Sequence, residues 1–189
     1  MSSGNGAQPG ARVLGLDPGL NVTGYAVLEM AARRPAICEA GVLRNERGEL
    51  HERLRVLYQG VLEILDQFTP QVVAVEQLYA HYAHPRTAII MAHARGTLLL
   101  AAAQRGLSVV SYSATQIKKT ITGSGRAPKE QVQRAIQREL GLPTLPDPPD
   151  VADALAAALC HCYLAGRSLG RKPRPEGEGK ADGTDDAGG

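Results

Sequence analysis

The chain has 189 residues, 43% of them hydrophobic, with a net charge of +2 and three cysteines. That length suits one domain with a real core and is too short for two comfortable ones. The near-neutral balance excludes nucleic-acid binding by bulk charge and leaves only a local basic footprint, while the few, odd-numbered cysteines exclude a disulfide framework.

Residues 1–11 are dominated by Ser, Gly, Asn and Pro, and from Arg167 onward the chain is mostly Gly, Pro, Lys, Glu and Asp. Neither end has apolar side chains to bury, so both read as disordered extensions, 1–11 and 167–189, around one domain over 12–166. Val13–Leu16, Thr23–Leu28 and Ala36–Leu43 read as three strands in an antiparallel meander. Leu50, Leu54, Leu57, Val61 and Leu65 mark one face of a helix that Thr69-Pro70 ends. Val72–Glu76 is a short buried strand, and a helix over Thr87–Arg105 is closed by Gly106. Leu107–Tyr112 is another strand, followed by a helix over Ala114–Thr122 and a Gly-rich loop at Gly123–Gly125. A helix follows over Pro128–Leu140, with Pro128 in its first turn and Gly141 at its end. A last helix spans Asp150–Leu164. Three strands followed by alternating helix and strand predict an α/β domain, a mixed five-stranded sheet with helices on both faces. The apolar stretch Ala88–Ala103 is broken by His93 and Arg95 and does not read as a membrane span. With no basic-then-apolar leader, a cytoplasmic setting is expected.

Two apolar strands close on a carboxylate: "VLGL" on Asp17 and "VVAV" on Glu76. If those strands are parallel neighbours, both acids stand at one sheet edge, outside the carboxyl ends of the strands, where α/β sheets carry their sites. Asp150 and Asp153, three apart at the start of the last helix, share a helix face. Each has a plainer reading. Asp-Pro-Gly is a good turn by itself, Asp150 with Asp153 is close to a capping box, and Glu76-Gln77 fits a solvated strand end. Taken together, the four repel one another, and a hard cation resolves the conflict. Oxygen-only ligands suit Mg²⁺ or Mn²⁺, and two such ions about 4 Å apart can drive phosphodiester hydrolysis.

The stretches "GLDPGLNVTGYAVLE", "VAVEQLYA", "ARGTLLLAA", "QIKKTITGSGRAPKEQVQ" and "DVADALAAALCH" resemble, in order and spacing, the RuvC family of Holliday-junction resolvases. The resemblance covers essentially the whole domain. It implies a ribonuclease-H-like fold, a homodimer, delivery by a branch-migration complex, and metal-dependent paired, symmetric nicking of four-way DNA junctions in recombination and repair. The family's catalytic, metal-binding carboxylates match Asp17, Glu76, Asp150 and Asp153. The chain departs from the usual pattern at "AHYAHPR" and "AHARG".

DNA contacts are expected in the second half, where Arg95, Lys118, Lys119, Arg126 and Lys129 concentrate. "TGSGRAPK" runs into a helix start whose backbone amides can hold a phosphate, a flexible connector beside a solvated basic face being the plainer alternative. The resemblance points to Lys118 and Lys129 as phosphate contacts, with Lys119 and Arg126 beside them. Tyr79, where the family usually has Phe, could stack on an opened base or pack in its loop. Cys160-His161-Cys162 lacks a second ligand pair and reads as core rather than zinc. His81, His84 and His93 read as surface residues. The helix over Thr87–Arg105 is apolar nearly all round, so it is deep core or has one face covered by a partner. Another ribonuclease-H-like nuclease, an actin-like ATP-binding domain and a non-catalytic junction binder are the rival readings.

Overall fold

The computed structural model describes residues 10–31, 34–45, 48–78 and 85–170, without the side chains of 85 and 166–170. Five strands and five helices follow in the order β1 (Arg12–Asp17), β2 (Val22–Met30), β3 (Pro35–Arg44), α1 (Leu50–Phe68), β4 (Val72–Glu76), α2 (Pro85–Gln104), β5 (Ser108–Tyr112), α3 (Ala114–Thr122), α4 (Lys129–Leu140) and α5 (Pro149–Gly170). The sheet order is β3-β2-β1-β4-β5. β1 and β3 flank β2 antiparallel, whereas β1, β4 and β5 are parallel neighbours. This is the expected mixed sheet.

Strand alternation sorts the core into two layers. Val13, Ala26, Leu28, Val72, Ala74 and Tyr112 pack with residues of α3, α4 and α5. Leu14, Leu16, Val27, Val73 and Val75 face the opposite layer, with Leu57 and Val61 of α1 and Ala94 and Leu98 of α2. Thr69 ends α1 in the left-handed conformation and donates its N–H to the Leu65 carbonyl at 3.0 Å.

Several boundaries differ from expectation. Gly10 and Ala11, assigned to the disordered extension, exchange backbone hydrogen bonds with Met30 at 2.8 Å and so lengthen the β1–β2 ladder. α5 runs past Leu164 and past the expected domain end to Gly170, since nothing in Arg167-Ser168-Leu169 breaks a helix. Pro128 caps α4 in an extended conformation instead of entering its first turn, and Pro149 takes the first position of α5. The Gly123 and Gly141 stops are both left-handed caps, as their positions suggested.

α5 lies on the sheet at backbone distance. A Cβ at Gly15 of β1 would fall 2.1 Å from the Ala154 carbonyl oxygen, and one at Gly24 of β2 would fall 2.0 Å from that of Asp150. The helix answers with Ala152, Ala154, Ala156, Ala157 and Ala158, all buried. Gly24→Ala is therefore expected to destabilise the fold by about 1–3 kcal/mol, the usual scale of overpacking. Chemical denaturation measures this; an unchanged midpoint would contradict the packing argument.

Candidate active site

The sheet register puts two of the acids side by side. β1 and β4 run parallel with Leu16 opposite Val75, so Asp17 and Glu76 end neighbouring strands at the same edge. Alternation turns both toward the α5 face, with Val13 and Gly15 on β1 and Val72 and Ala74 on β4. The Gly24 contact brings the Asp150 backbone against β2 at that edge, since Gly24 pairs with Asp17. Asp153 lies one turn further along α5.

The electrostatics record the convergence. Burial pushes the Asp17 carboxyl up to about 7, reinforced by the charges of Asp153, Asp150 and Glu76. Glu76 is raised by burial and then by Asp153, with Lys118 and Lys129 acting in the opposite sense. Lys129 donates from Nζ to Asp153 Oδ2 at 2.8 Å. Burial alone would lower the Lys129 ammonium; the Asp153 hydrogen bond and charge more than reverse that. Among the described residues, no group of three or more His, Cys, Asp or Glu side chains closes as a ready metal cage. The donor set itself, four carboxylates with no thiolate or imidazole, fits a hard divalent cation. A cation held there would offset the repulsion felt at Asp17.

The other expected contacts divide. Lys118 and Lys129 line a groove of about 230 Å³ with Glu76 and Asp153. Lys119 and Arg126 are exposed on the same α3-to-α4 segment. Arg95 turns inward instead, donating from Nη2 to Ser111 Oγ at 2.7 Å and tying α2 to β5. Tyr79, His81 and His84 lie outside the described residues. His93 is exposed, its Nδ1 2.7 Å from the Ile89 carbonyl. Cys160 and Cys162 are buried in the core, their thiols raised by burial, Cys162 to about 12. His161 between them shares a 2.8 Å hydrogen bond with the Tyr112 hydroxyl, a strut from α5 to β5 that the motif reading missed. Arg53, also missed, lines a second groove with Asp17 and Asp150.

The Asp17 shift sets a pH dependence. A carboxyl raised from about 4 to about 7 on folding binds its proton more tightly in the folded chain. Its contribution to stability is full below about pH 4 and is lost as pH rises through about 7. In chelator, the melting temperature of the wild-type chain should fall relative to that of Asp17→Asn across this window. Calorimetry at stepped pH checks this; parallel curves for the two proteins would contradict it.

Residues 13–161 match the family model described as crossover junction endodeoxyribonuclease RuvC. A crossover junction endodeoxyribonuclease RuvC of Rhodopirellula baltica is 48% identical over 166 residues, covering 86% of this chain and 93% of that protein. One of Desulforamulus reducens is 41% identical, over 84% of this chain and 98% of its own length. The structure of Thermus thermophilus RuvC in complex with Holliday junction substrate superposes with a TM-score of 0.79 at 33% identity, covering 84% of this chain and 96% of that one. The yeast mitochondrial Holliday junction resolvase Ydc2, at a TM-score of 0.61 and 15% identity over 87% of this chain and 86% of its own, shares the fold. The fold is thus the ribonuclease-H-like α/β sheet that the motifs implied, and the chain belongs to the RuvC family of crossover junction endodeoxyribonucleases.

Proposed function

We propose that the chain resolves four-way DNA junctions by metal-dependent hydrolysis, nicking two strands symmetrically in recombination and repair. The observation that carries this reading is the meeting of Asp17, Glu76 and the Asp150–Asp153 pair at one sheet edge, in a chain of this family. All four carboxylates would hold the cations, two Mg²⁺ or Mn²⁺ ions per site. Bound there, such ions would provide the activation of water and the stabilisation of the leaving oxygen that phosphodiester hydrolysis needs.

The chain's own groups do the positioning. Lys118 and Lys129, in the groove beside Glu76 and Asp153, hold the phosphate by charge. Lys129, whose Nζ donates to Asp153, would turn from that carboxylate to a phosphate oxygen. Lys119 and Arg126 add phosphate contacts along the exposed α3–α4 segment. Tyr79, three residues after Glu76, stacks on a base opened at the crossover, a contact worth about 1–3 kcal/mol.

Paired nicks need two sites, and α2 offers the surface for a second copy of this chain. Ile89 and Leu100 are 57% and 54% exposed. Gly96 lies between them on that helix, and a Cβ there would meet nothing within 4 Å. Spacings of seven and four residues put all three on one stripe. No helix among the described residues is long and apolar enough to cross a membrane, so the stripe does not belong to a membrane span. Delivery by a branch-migration complex and action in the cytoplasm belong to this reading on the family resemblance alone.

Asp17→Asn and Glu76→Gln should each slow single-turnover cleavage of a labelled four-way junction by about 10³-fold or more, roughly 4 kcal/mol of transition-state stabilisation, with junction affinity retained. Near-normal cleavage by either variant would overturn the assignment. Leu100→Glu should convert a dimer to a monomer in sedimentation velocity and abolish paired cuts; a dimer that survives this change would move the interface elsewhere.

A further inference from the structure

Two grooves open from the acid cluster. The first, with Lys118 and Lys129, takes in Glu76 and Asp153. The second, of about 410 Å³, takes in Asp17 and Asp150 and is walled by the β1–β2 turn, α1 and α2. Asp17 and Glu76 end neighbouring parallel strands and Asp150 and Asp153 lie one turn apart on α5, so the two grooves flank one cluster. A cleaved strand carries phosphates on both sides of the scissile bond, and the two lysines line only the first groove.

Arg53 is the one basic side chain lining the second groove among the described residues. It stands in the first turns of α1, where its backbone N–H bonds to the Glu49 carbonyl at 3.1 Å. Its Nη2 donates to Oδ1 of Asn21 on the β1–β2 turn. Asn21 also lines the groove, and Asn45 Nδ2 bonds to the neighbouring Leu20 carbonyl at 2.8 Å, bracing that turn. The guanidinium is thus held from one side only. Its Nε is buried and has no hydrogen-bond partner among the described residues. A buried, unmade donor on a fixed guanidinium is costly, and its planar fork matches a phosphate. It lies in a groove whose other charged groups, Asp17 and Asp150, belong to the cation site.

Resting on the junction-cleaving reading above, we propose that Arg53, oriented by Asn21, grips a backbone phosphate of the cleaved strand on the side of the scissile bond opposite to Lys118 and Lys129. The strand then runs through both grooves, across the acids. Arg53 is a binding residue whose contact fixes which phosphate reaches the cations.

The test uses four-way junctions that each carry one neutral methylphosphonate at successive positions around the cut. Binding to the full-length wild-type chain, Arg53→Gln, Arg53→Lys and Asn21→Ala is measured over a salt series in Ca²⁺, and wild-type cleavage is followed in Mg²⁺. Arg53→Gln should bind the unmodified junction about 10-fold more weakly, with a log–log salt slope shallower by about one. One methylphosphonate, beyond the scissile phosphate on the side away from the Lys118 contact, should weaken wild-type binding by a similar factor and leave Arg53→Gln unaffected. Arg53→Lys and Asn21→Ala should keep the wild-type slope. Additive losses at every position, or an unchanged slope in Arg53→Gln, would show Arg53 to be only a strut between α1 and the turn. A wild-type chain that cuts no junction would overturn the functional reading and this inference with it. A wild-type chain that cuts, with Arg53 uncoupled from every phosphate, overturns this inference alone.

Discussion

Helix α5 approaches β1 and β2 until backbone meets backbone, and the acid cluster depends on that contact. At Gly15 and Gly24 there is no room for a methyl group between sheet and helix. The contact sets the height of α5 above the sheet and brings Asp150 and Asp153 to the edge where Asp17 and Glu76 end their strands. Alanines on the facing side of the helix make it possible, since each larger side chain would lift α5 and open the cluster. Small residues on both surfaces give up apolar burial per residue in exchange for a fixed distance. The Tyr112–His161 hydrogen bond holds the same helix further down, against β5.

That geometry concentrates charge that folding alone does not favour. Asp17 is raised to about 7 by burial and by three neighbouring carboxylates. The charge of Lys129 offsets part of this at Asp17, and Lys118 and Lys129 act on Glu76 in the same sense. Functional sites commonly hold such local conflict at the expense of stability, and under the proposed function it is what a divalent cation would relieve.

How much was legible in the sequence follows from the range of the interactions concerned. β4 is read to the residue because its apolar run is short and bounded by Thr69-Pro70 and a carboxylate. The acids were legible because two core strands ending on a carboxylate is a local anomaly, visible without a partner. The role of Gly15 and Gly24 was not: a glycine inside a strand looks the same whether or not a helix presses on it. Arg95 shows the converse error. Counted with the lysines further along the chain it suggests a DNA surface, but Ser111, sixteen residues away, draws it inward. Arg53 escaped notice because α1 reads as an ordinary amphipathic helix, and only the turn packed against it shows which way the guanidinium points. α5 outruns its expected end because low hydrophobicity does not by itself stop a helix, whose hydrogen bonding propagates residue by residue.

The central claim is that the close packing of α5 assembles one cation site from Asp17, Glu76, Asp150 and Asp153. Anomalous diffraction from crystals of the full chain soaked in Mn²⁺ tests it directly. The account predicts Mn²⁺ peaks at the sheet edge within ligand distance of carboxylate oxygens from β1, β4 and α5, with Lys129 displaced from Asp153. Peaks confined to other parts of the surface, with the Lys129–Asp153 pair intact at saturating Mn²⁺, would contradict it.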